Sequence, residues 1–169
     1  MGVNEYVTKV VKEPKQLVHS KTIDYVENAM MANEAKLKGG YQGIKILENG
    51  VLLEAASANI AFIFGREFAT PRLETVIEGT TLKKCLIYLE QLKKEGIIDT
   101  ISFRDISKEE AYTADEMIML GGDKIIPVLN FDDKAIGEKC GPITFSLQEW
   151  YEQTNETGTC IKIDPLLLW

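Results

Sequence analysis

The segment from Gly43 to Phe64 places the tightest limit on what this chain can fold into. Gly43 to Leu47 and Val51 to Ala55 are strand-like runs separated by Glu48-Asn49-Gly50, an Asn-Gly signal for a tight hairpin, and Asn59 to Phe64 follows as a third apolar strand. Strands this apolar need cover, and helical spacing predicts it on both sides. Val26, Ala29, Met30, Asn33 and Leu37 form a stripe between Thr22 and Lys38, with Asp24 and Glu27 in the first turns and Gly39-Gly40 as the stop. Leu82, Cys85, Leu86, Leu89 and Leu92 form a second between Gly79 and Glu95, with Thr80 and Thr81 at the mouth and Gly96 at the end.

The remaining elements follow the same mixture. Met1 to Lys15 reads as an extended lead-in strand, and Thr100 to Asp105 as a strand. Ser107 to Glu110 starts a short helix with a serine three residues ahead of a glutamate. Glu116 to Leu120 and Ile125 to Phe131 are strands around Gly121-Gly122-Asp123. A last helix runs from Gly141-Pro142 to Gln153, and Cys160 to Ile163 reads as a further strand. No internal repeat is visible, so strands and helices mix in one α+β domain spanning the 169 residues.

Composition narrows the function. With 45% hydrophobic and 27% charged residues the chain is an ordinary globular one. Its 19 basic and 26 acidic residues leave a net charge of −7, which is the wrong sign for a nucleic-acid binder. The single histidine, His19, and the widely spaced Cys85, Cys140 and Cys160 provide no zinc-ligand pattern, so no metal site is expected. An odd number of cysteines fits a reducing compartment, and an intracellular, cytoplasmic location is expected. No apolar run approaches the roughly 18 residues needed to cross a bilayer, so no membrane partner is expected.

Four features are chemically suggestive only as a set: Lys21 before a helix, Glu54 at the end of a buried strand, Gly79-Thr80-Thr81 opening a helix, and Gly121-Gly122 between strands. Taken singly, each has a plain structural reading: a solvated charge, a polar strand end, a helix cap, a turn. Ser57 and Asn59 are equally suited to satisfying backbone groups at a turn.

In order, these stretches resemble the class IV aminotransferases, the fold-type IV pyridoxal-phosphate enzymes. The resemblance is carried by Lys21-Thr22-Ile23-Asp24-Tyr25, Glu54 to Ile60, Gly79-Thr80-Thr81 and Ala114-Asp115-Glu116-Met117. It continues through Ile126-Pro127-Val128, Ile136-Gly137 and Gly141-Pro142-Ile143-Thr144, so that it covers about Val18 to Glu152. The wording is most similar to plant-type members described as D-amino acid aminotransferase or aminodeoxychorismate lyase. The resemblance implies a mixed-strand pseudo-barrel flanked by helices, pyridoxal 5′-phosphate as cofactor, and a homodimer.

By the same resemblance, Lys21 is the Schiff-base lysine and proton carrier. Glu54 faces the pyridine nitrogen and keeps it protonated. Gly79, Thr80 and Thr81 hold the phosphate, Ser57 and Asn59 lie near the cofactor, and Gly121 and Gly122 let backbone approach the substrate or the same phosphate. Tyr25 is expected to pack beside Lys21, and His19 to be structural. Two positions depart from the family pattern: Leu82 stands where an arginine is common, and Gly122-Asp123 where a threonine adds a phosphate contact. An acidic Asp123 would repel phosphate, so it is left out of the site.

The family's lysine lies early in a second domain, so the chain is expected to correspond to the large C-terminal domain without the smaller N-terminal one. The implied activity is amino transfer between a branched-chain or D-type amino acid and a 2-oxo acid. The alternatives are a lyase that releases pyruvate and p-aminobenzoate from 4-amino-4-deoxychorismate, and a non-catalytic, truncated cofactor-binding or interaction domain.

Overall fold

The structure is a computed structural model that describes residues 2–8, 23 and 25–156. Lys21, Thr22, His19, Asp24 and the expected strand at Cys160 to Ile163 lie outside the described residues. The elements in chain order are β1 (Val3–Glu5), β2 (Val7–Thr8), α1 (Val26–Leu37), β3 (Ile44–Ile46), β4 (Leu52–Ala55), β5 (Asn59–Phe64), β6 (Glu67–Thr70), α2 (Thr80–Lys94), β7 (Thr100–Phe103), α3 (Lys108–Ala111), β8 (Glu116–Gly121), β9 (Lys124–Phe131), β10 (Lys134–Ala135) and α4 (Pro142–Glu156).

The strands form two sheets. A seven-stranded sheet has the order β1-β9-β8-β5-β6-β7, with β10 also paired to β9, and a three-stranded sheet has the order β2-β3-β4. In the large sheet the pairs β9–β8, β8–β5 and β5–β6 are antiparallel, and the flanking pairs β1–β9 and β6–β7 are parallel. The hairpin between β8 and β9 turns through Gly122 and Asp123, both at positive φ (60° and 56°), the type I′ geometry that matches strand twist.

Strand alternation explains why β5 and β8 are apolar at nearly every position. Ile60, Phe62, Met117 and Met119 point into a cluster shared with Ile44 and Leu52 of the small sheet. Ala61, Ile63, Ile118 and Leu120 point the other way, onto Leu82, Cys85, Leu89 and Leu92 of α2 and Leu147 and Tyr151 of α4. The large sheet is therefore buried on both faces, between the small sheet on one side and two helices on the other. The mixed-strand α+β class is as expected, but the strands do not close into a barrel: the chain passes from β4 in one sheet to β5 in the other without a ladder between them.

Helix α1 corrects one expectation. The stripe of Val26, Met30 and Leu37 is exposed, at 65%, 63% and 81%, and Met31 and Ala35 face inward instead. Spacing fixes the angle between residues but not which stripe meets the sheet, and this helix is apolar on both sides. Its buried face is joined to the protein by polar contacts. Lys45 Nζ of β3 lies 2.9 Å from Glu27 Oε1, and the Asn28 carboxamide donates to the Ala56 carbonyl.

Candidate functional site

The crossover from β4 to β5 lies between Glu54 and Asn59. It is closed by the Ala55 amide donating to the Ala58 carbonyl at 2.8 Å. Asn28 holds the Ala56 carbonyl, and the Ser57 amide and hydroxyl both donate to Gln42 Oε1 at 2.9 Å. Gln42 is in turn fixed by a carboxylate from the other sheet. Its amide donates to Glu5 Oε1 at 3.0 Å, and the Gly43 amide donates to Glu5 Oε2 at 2.8 Å. Glu5 is fully buried; burial pushes its carboxyl above the ordinary carboxylate range, and the Gly43, Gln42 and Tyr6 amides pull against that rise.

Glu54 and Asn59 both reach the segment Ile77 to Gly79, which leads into α2. The Ile77 amide donates to Glu54 Oε2 at 3.2 Å. Asn59, 4% exposed, donates from Nδ2 to the Ile77 carbonyl at 2.6 Å and accepts from the Gly79 amide at Oδ1, 3.0 Å away. Gly79 is the N-cap of α2, with no side-chain cap, and the first backbone bond of the helix runs from Lys83 to the Gly79 carbonyl. The amides of Thr80, Thr81 and Leu82 therefore precede the hydrogen-bonded ladder and carry the positive end of the helix dipole. Thr81 is buried and Thr80 is exposed, while the Leu82 side chain is turned into the α2 core.

Gly121 reaches the same place from β8. A Cβ there would lie 2.7 Å from Ala58 Cα and Ser57 O, so only glycine lets the end of β8 pass beneath the crossover. Gly122 is exposed at the hairpin tip. Asp123 accepts from the Tyr151 hydroxyl of α4 at 3.2 Å.

Glu54, Ser57, Asn59, Gly79, Thr80, Thr81 and Gly121 are thus linked around one crossover and one helix mouth. Lys21 lies outside the described residues, and Tyr25, four residues later in the chain, is half-exposed at the start of α1. Asn28, Gln42 and Glu5 escaped sequence reading. Each is a polar residue whose partner lies far along the chain, and spacing carries no signal for such a contact.

A helix mouth whose first amides have no partner among the described residues suits a phosphate, and a carboxylate anchored two residues upstream of the N-cap suits a basic nitrogen. The pair fits a ligand that is anionic at one end and protonatable at the other. A pyridine ring bearing a phosphate is such a ligand.

The fold agrees with comparisons to known proteins. A family model described as amino-transferase class IV matches residues 3–131. The chain is 35% identical over 162 residues to the chloroplastic D-amino-acid transaminase of Arabidopsis thaliana, covering 94% of this chain and 43% of that protein. It is 35% identical over 130 residues to a probable branched-chain-amino-acid aminotransferase of Aquifex aeolicus, covering 75% and 40%. The branched-chain amino acid aminotransferase of Escherichia coli superimposes with a TM-score of 0.80 at 26% identity, over 96% of this chain and 56% of that one. The chain spans about half the length of these relatives. The match to the family runs from β1 to the end of β9 and takes in the crossover and the α2 mouth; the chain belongs to the class IV aminotransferase family.

Proposed function

We propose that this chain supplies the cofactor-lysine part of a pyridoxal-phosphate-dependent aminotransferase, moving an amino group between a branched-chain or D-type amino acid and a 2-oxo acid. The observation that carries the reading is the Ile77–Gly79 segment, held at once by Glu54 and Asn59 beside the open mouth of α2. The Thr80 and Thr81 amides would hold the phosphate, Glu54 the ring nitrogen, and Lys21 the aldehyde carbon. When bound, the cofactor supplies an electron sink for bonds at the substrate's α-carbon.

The chain's own residues do the rest. Glu54, kept in place by the Ile77 amide, favours the protonated ring nitrogen through its negative charge. The Lys21 amine would hold and move the proton at Nζ during the transfer, acting first as base and then as acid. Gly121 keeps the wall beneath the crossover free of a side chain.

The test is borohydride reduction of the purified chain with pyridoxal 5′-phosphate, followed by peptide mass mapping. A reduced adduct on Lys21, absent in Lys21→Ala, is the expected result; an adduct elsewhere, or none, would overturn the reading. Substrate assays then separate amino transfer from lyase chemistry, because only the lyase releases pyruvate without an acceptor acid.

A further inference from the structure

The resemblance places Asn59 near the cofactor, but the structure engages its side chain elsewhere. Both ends of the buried carboxamide are taken by the backbone of one short segment: Nδ2 by the Ile77 carbonyl at 2.6 Å and Oδ1 by the Gly79 amide at 3.0 Å. A carboxamide is well matched to this task, since it presents a donor and an acceptor side by side; aspartate lacks the donor and leucine lacks both. The same segment is held from the other sheet, where the Ile77 amide donates to Glu54 Oε2.

We propose that Asn59 is a positioning residue, which sets the distance and angle between Glu54 and the phosphate-binding amides at the mouth of α2 without itself holding the cofactor. This rests on the cofactor reading above. Gly79 gives an independent sign of the coupling. Its φ of −69° and ψ of 148° are open to any residue, so backbone conformation does not require a glycine. The constraint is the neighbour, because a Cβ at position 79 would lie 2.5 Å from Asn59 Oδ1 and only 3.6 Å from its Cγ. The glycine thus lets the helix mouth come close enough for its amide to reach the carboxamide. With the Gly79 amide taken by Asn59, the donors without a partner among the described residues begin at Thr80, which fixes the depth at which a phosphate sits.

The experiment is to titrate pyridoxal 5′-phosphate and, separately, pyridoxal against the full chain and its Asn59→Ala and Gly79→Ala variants. A residue that acts through the helix mouth weakens the phosphorylated compound selectively. Each variant should lose about tenfold in affinity for pyridoxal phosphate and less than about twofold for pyridoxal. The two changes act on one contact, so the double variant should be no weaker than the worse single. Gly79→Ala leaves the sheet core untouched and gives an answer even where Asn59→Ala does not fold.

Equal losses for both compounds in Gly79→Ala, or no loss in either variant, would overturn the positioning role and leave the cofactor reading intact. Failure of the unaltered chain to bind either compound would overturn the cofactor reading and this proposal with it.

Discussion

Glu116 does for α4 what a local capping residue does elsewhere, but from a strand. Its carboxylate accepts from the Ile143 amide at 3.0 Å, the Thr144 amide at 2.8 Å and the Thr144 hydroxyl at 2.6 Å. Gly141 is a glycine because a Cβ there would lie 2.1 Å from the Glu116 carboxyl carbon. Asp115, beside it, accepts from the Gly65 amide at 2.6 Å and closes the β5–β6 turn. Removing the Glu116 carboxylate leaves a buried threonine and two helix amides unpaired, so Glu116→Ala should cost about 2–3 kcal/mol in urea denaturation. A loss below about 0.5 kcal/mol would show that the cap is unimportant. The stretches Ala114 to Met117 and Gly141 to Thr144 were recognisable in the sequence as family wording. Only the structure shows that they are two halves of one contact, because nothing in the spacing pairs a strand residue with a helix mouth 28 positions away.

Elements with a strong local signal were read closely. Strand β5 has the expected bounds, α2 differs by one residue at each end, and the Ser107 hydroxyl accepts from the Glu110 amide as an N-cap should. Strand β6 was missed because Glu67-Phe68-Ala69-Thr70 is short and opens on charge; it exists through its neighbours, pairing with β5 on one side and β7 on the other. Helix α1 was found but its inner face was not, since both of its sides carry apolar residues. The two faces predict different responses. Met30→Gln and Leu37→Gln should change stability by less than about 0.5 kcal/mol, whereas Met31→Ala should cost about 2 kcal/mol or more. Thermal melts of the three variants check this, and a large loss for Met30→Gln would reverse the facing of the helix.

Two structural carboxylates respond to acid in opposite senses: Glu5 ties the two sheets together, and Glu67 fastens β6 to the segment after β7 within the large sheet. Glu5, raised by burial, favours the fold below the ordinary carboxylate value of 4.5, and that contribution fades as pH rises through its raised value. Glu67 receives a forked pair of bonds from Arg104, at 3.0 and 3.2 Å, which draws it below 4.5. Its contribution is complete above the ordinary value and is lost as pH falls through the lowered one. The stability difference between the native chain and Glu67→Gln should therefore be constant near neutrality, about 0.5–1 kcal/mol for a partly exposed pair, and vanish in acid. Denaturation midpoints across pH 3 to 7 measure it; a difference that grows toward acid would contradict the assignment. Such long-range ties are where sequence reading ran out: the α+β class and the helix mouth follow from local patterns, but the contact of Glu5 with Gln42 joins positions 37 residues apart.

The crossover between β4 and β5 also bears on how the protein can be re-engineered. Four residues, Ala55 to Ala58, carry the chain from one sheet to the other, and their backbone is pinned by Asn28 and Gln42 and lies against Gly121. Adding or deleting one residue here would change the spacing between Glu54 and Asn59 and turn one of them to the opposite side of its strand. Length variation, loop grafting and splice points belong instead at exposed turns such as Glu48-Asn49, at the tip of the β3–β4 hairpin and away from the crossover.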